Sequence, residues 1–65
     1  MWTLTANVTA GRMAVLLAER GAYYVGVTQG RLVEVSGVGD TPPEWMVDIH
    51  RLLRSEGVYA RIDRI

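Results

Sequence analysis

Leu16-Leu17-Ala18-Glu19-Arg20-Gly21-Ala22-Tyr23 returns later in the chain as Leu52-Leu53-Arg54-Ser55-Glu56-Gly57-Val58-Tyr59. Each copy reads as the last turn of an amphipathic helix, a glycine that can adopt the left-handed backbone conformation and stop it, and a strand with Tyr in second place. A phrase used twice in this way implies two similar half-units.

The residues around the two copies fill in the halves. Trp2, Leu4, Ala6 and Val8 alternate with Thr3, Thr5, Asn7 and Thr9, the period-two pattern of a strand with one apolar face. Thr9 is placed to cap a helix over 10–20 whose apolar stripe is Ala10, Met13, Ala14, Leu16 and Leu17, although Gly11 weakens its first turn. After the first copy, residues 22–28 and 31–36 are rich in Tyr and Val and are joined through Gln29-Gly30, which reads as a tight hairpin. Gly37-Val38-Gly39-Asp40 is a loop. Thr41-Pro42-Pro43-Glu44 reads as a helix opening, with Thr41 as cap, Pro42 in the first turn and Glu44 closing a capping box. The helix it opens, over 42–56, buries Trp45, Met46, Ile49, Leu52 and Leu53 and turns Asp48, Arg51, Arg54 and Ser55 to water. Residues 58–64 make the last strand.

The order β-α-β-β-α-β predicts one α+β domain over residues 1–65. Two β-α-β halves joined in this way form a ferredoxin-like sandwich, a four-stranded antiparallel sheet with both helices on one face and the second and fourth strands at its edges.

A chain of 65 residues buries only about 60% of the surface its unfolded form exposes, so its stability is marginal. With no Cys and a single His, His50, neither a disulfide nor a metal can staple it, and no metal or cofactor is expected. Association is the remaining source of stability, so the expected partner is a second copy or a larger protein. The net charge is zero, which excludes a global field drawing the domain to nucleic acid or anionic lipid. Its distribution is uneven: residues 1–50 carry three Arg against five acids, and residues 51–65 four Arg against two. No apolar run approaches a membrane span and no signal peptide opens the chain, so a cytoplasmic location is expected.

In the last strand Arg61 and Asp63 must point away from the core, because unpaired buried charges are too costly. Carried back to the first copy, that orientation sets Tyr23, Val25 and Val27 on the open face of the sheet with Tyr59 and Arg61, an apolar patch expected to bind protein. The alternation of Tyr23, Val25 and Val27 also allows the opposite orientation, toward the helices.

No catalytic set emerges. Asp48 is two positions from His50 and hence on nearly the opposite side of the helix. Ser36 and Ser55 stand in no nucleophile motif, and Gly37-Val38-Gly39 runs into Asp40 and Glu44, which already satisfy the helix dipole there. Arg51, Arg54, Arg61 and Arg64, with Tyr59 among them, form the one grouping suited to nucleic acid. RNA-recognition domains of this strand order also carry stacking aromatics on the third strand; here Arg31-Leu32-Val33-Glu34-Val35-Ser36 has none.

The stretch from Gly11 to Ala22, a Leu-rich helix ending in Gly, resembles the ACT domains that regulate enzymes by binding amino acids. The resemblance implies a small-ligand sensor. Asn7-Val8-Thr9-Ala10-Gly11 stands where that family has Asp-x-Pro-Gly, and the helix is about a turn shorter, so no ligand site carries over. The reading favoured by size, missing catalytic residues and the open face is a non-enzymatic interaction module, a small regulator or inhibitor docking on a larger protein. A phage-type accessory protein fits that description.

Overall fold

The computed structural model describes residues 1–23 and 26–65, with backbone alone for 27–29. Three antiparallel strands, β1 (Trp2–Ala6), β3 (Leu32–Gly37) and β4 (Ala60–Arg64), and two helices, α1 (Ala10–Glu19) and α2 (Glu44–Ser55), make the body of an α+β fold. β1 lies in the middle, with Leu4 opposite Val35 on one side and Ile62 on the other. An even four-stranded sheet does not form. Gly26–Gln29 (β2) adds only a four-residue ladder on the outer side of β3, giving the lateral order β2-β3-β1-β4. Of the strand expected over 22–28, Ala22 and Tyr23 precede the ladder, and Tyr24 and Val25 lie outside the described residues.

Alternate strand residues meet both helices in one core. Leu4, Ala6, Val33, Val35 and Ala60 from the sheet pack with Met13, Leu16 and Leu17 of α1 and Met46, Ile49 and Leu53 of α2. Thr9 caps α1 as expected, its Oγ1 accepting the Arg12 N–H at 3.1 Å. Thr41 does not cap α2. The helix starts at Glu44 and its cap position is Pro43, at ψ 147°, with no side-chain bond. The cause is the second proline: Pro43 bars Pro42 from the helical region, so no helix can begin there. Trp45 and Leu52 are half-buried rather than core residues.

The repeated phrase forms the same structure twice. Gly21 and Gly57 take φ +71° and +76°. In the first copy the N–H groups of Gly21 and Ala22 donate to the carbonyls of Ala18 and Leu17; in the second, those of Gly57 and Val58 donate to Arg54 and Leu53. Both are Schellman caps, which satisfy carbonyls that a helix end leaves open. Each glycine has empty space where a Cβ would go, so alanine meets only the backbone penalty. Gly21→Ala and Gly57→Ala are each expected to cost about 1 to 2 kcal/mol, equally and additively. Urea unfolding of the two single variants and the double variant checks this.

The hairpin also differs by one position. Gln29 pairs with Leu32, so the two-residue loop is Gly30-Arg31 rather than Gln29-Gly30. Gly30 has φ +60° and Arg31 does not share a positive φ, the pattern of a turn that needs glycine first.

Candidate functional site

The lateral order decides which surface residues can act together. β2 and β4 occupy opposite edges and run in opposite directions, since each is reached through an antiparallel neighbour. Tyr23, ahead of β2, therefore lies at the Gly37 end of one edge, and Tyr59, ahead of β4, at the Val33 end of the other. The two tyrosines stand at diagonal corners of the sheet. Between them lie the rows of Thr3 and Thr5 rather than a continuous run of described apolar side chains.

The open face is polar where it is described. Thr3 and Thr5 occupy its centre and are only 5% and 8% exposed. They are flanked in register by Ser36 and Asp63, and by Glu34 and Arg61. Arg61 and Asp63 point away from the core as expected, and the Arg61 Nε donates to Asp63 Oδ2 at 2.6 Å. The backbone of Val27 is in register with Glu34, in the same row as Thr5 and Arg61. Val25 lies outside the described residues. Tyr59 is exposed, and its carbonyl accepts the Asn7 N–H at 2.9 Å, which continues the β1–β4 ladder by one residue.

The four arginines separate. Arg51 and Arg54 are exposed on α2, whereas Arg61 and Arg64 lie three apart on a strand and hence on opposite sides of the sheet. Arg61 is paired with Asp63, and the Arg64 guanidinium lies over the Trp2 ring, 5.6 Å from its centre. Arg12 pairs with Glu56 at 2.6 Å, joining the start of α1 to the end of α2. Both groups are well exposed, so this ion pair contributes little.

One surface is built by residues far apart in the chain. Ala22, Tyr23, Ser36, Gly37, Val38, Pro43 and Trp45 line a shallow groove of about 400 Å³ where the end of β3 meets the start of α2. Tyr23 is 91% exposed and Val38 77%. Its floor depends on Gly37, where a Cβ would come within 2.6 Å of Pro43 Cγ. Trp2 fixes the adjoining loop by donating its indole N–H to the Gly39 carbonyl at 3.0 Å. Three separate segments build this groove, and the only local hint of it was a small residue at the end of a strand.

Among the described residues no three His, Asp or Glu side chains are gathered to hold a metal ion. Nor is any described helix long and apolar enough to cross a membrane. Comparison with protein-family models, with curated proteins and with solved structures found no match to this chain.

Proposed function

We propose that this chain is a non-enzymatic protein-interaction module, a small regulator or inhibitor on a ferredoxin-like scaffold that docks on a larger protein through the Tyr23 corner. The observation that carries this reading is Tyr23 itself, a nearly fully exposed aromatic beside exposed Val38 and half-buried Trp45. Tyr and Trp offer large rigid contact area with a polar tip and dominate binding hot spots. Rigidity is supplied by the surroundings: the Schellman cap at Gly21 precedes Tyr23, and the Trp2–Gly39 bond holds the loop that presents Val38. The nucleic-acid reading has less support, because its arginines fall on different faces and two of them are engaged by Asp63 and Trp2. No feature specifically favours the amino-acid-sensor reading.

The test is comparative capture from extracts of the native host, using immobilised wild-type chain and Tyr23→Ala. Truncating a central aromatic of an interface costs about 2 kcal/mol or more. A specific partner should be retained by the wild type and weakened at least about tenfold by the variant, with circular dichroism unchanged. Equal retention by both proteins would refute the Tyr23 corner as the docking surface.

A further inference from the structure

We infer that β4 pairs with β4 of a second copy, antiparallel and centred on Ile62, so that two sheets join edge to edge. The inference rests on the interaction-module reading and names a partner for it, on a surface away from the Tyr23 corner.

Among the described residues β4 has a strand on one side only, β1. The ladder shows which main-chain groups remain free. Tyr59 and Ile65 bond inward, through Asn7 N–H to the Tyr59 carbonyl and Ile65 N–H to the Met1 carbonyl, each 2.9 Å. In an antiparallel ladder the inward-bonding residues alternate with outward-facing ones, so Arg61 and Asp63 also bond inward. The N–H and C=O groups of Ala60, Ile62 and Arg64 point to the edge away from β1, where Ala60, 5% exposed, is the most covered of the three and Arg64 the most open.

Pairing must use those three residues, and charge selects the register. With Ile62 opposite Ile62 of the second copy, Ala60 meets Arg64 and the outward groups of all three find partners. Arg61 then stands opposite Asp63, and Asp63 opposite Arg61, at the non-bonded positions where Cα atoms are about 4.5 Å apart and side chains lie closest. Two unlike pairs form on the open face, joined to the Arg61–Asp63 pair already within each chain. Sliding by one pairing step either way sets Arg61 against Arg61 or Asp63 against Asp63. The sequence Ala60-Arg61-Ile62-Asp63-Arg64 is thus self-complementary in one register. It also has no Pro or Lys, residues that commonly keep an edge strand from pairing.

Analytical ultracentrifugation across a concentration series tests this on the wild type, Arg61→Asp, Asp63→Arg and the double exchange. Arg61→Asp sets Asp against Asp63 across the interface, and Asp63→Arg sets Arg against Arg61. Each single variant is expected to raise the dimer dissociation constant at least about tenfold, and the double exchange to restore it, with circular dichroism confirming the fold throughout. A wild type that stays monomeric at every concentration overturns the inference and leaves the Tyr23 corner to its own test. A wild-type dimer indifferent to both single variants also overturns it, since self-association would then use another surface.

Discussion

Leu53→Ala is expected to abolish the cooperative unfolding transition at room temperature. Leu53 is fully buried among Met46, Ile49 and the sheet residues of the core, and its carbonyl receives the Val58 N–H of the second Schellman cap. Truncating a buried leucine costs about 2 to 5 kcal/mol, counting lost transfer energy and the cavity left behind. At about 0.05 to 0.15 kcal/mol per residue, a chain of this length has roughly 3 to 10 kcal/mol in total. The upper part of that cost equals much of the whole stability. Leu17→Ala should behave alike, because Leu17 has the same burial and receives the equivalent bond from Ala22. Trp45, half-buried, should cost less than either when truncated. Thermal melts followed by circular dichroism decide the matter, and a normal transition in Leu53→Ala would show that the core lies elsewhere.

Gly37→Ala is the second large effect. Its backbone needs no special φ, so the cost is steric: the new methyl would lie 2.6 Å from Pro43 Cγ and 3.2 Å from Met46 Cε. Met46 can move its terminal methyl, but Pro43 is a ring held at the helix start and cannot swing aside. Relief requires α2 to shift from the end of β3. Overpacking of this sort costs about 1 to 3 kcal/mol, and for a domain this small each kcal/mol lowers Tm by roughly 4 to 8 °C. Because the same shift deforms the groove beside Tyr23, partner capture should weaken together with stability. A variant melting like the wild type would show that the Pro43 contact is loose.

What could be read from the residues follows how local the determining physics is. The Thr9 cap and the two glycine stops depend on neighbours in the chain, and each is found where the sequence puts it; β1 ends at Ala6, short of Val8, and its threonines are buried along with its apolar residues. The start of α2 departs from the sequence expectation although its cause is equally local: the rule about the residue before a proline overrides the attraction of Thr41 as a cap. The hairpin shift has the same character, a glycine assigned to the second loop position when the turn needs it first. The surface is different. The charges of Arg61 and Asp63 correctly orient β4, and β2 and β4 lie at the opposite edges expected of them, which sets Tyr23 and Tyr59 at diagonal corners. Only the meeting of β3 with α2, distant in the chain, assembles Tyr23, Val38 and Trp45.

The position of β1 matters for how the molecule folds. β1 precedes every other described element in the sequence, yet one of its two neighbours is residues 60–64, which follow all of them. Pairing across such a separation is intrinsically slow, because a long loop must close before any contact rewards it. As the chain folds β1 can pair with β3 first, leaving the main chain of Thr3 and Thr5 open along the side that β4 covers. The partly folded chain is therefore an incomplete sheet with an adhesive flank until β4 joins it. Loss of residues 60–64 would make that exposure permanent.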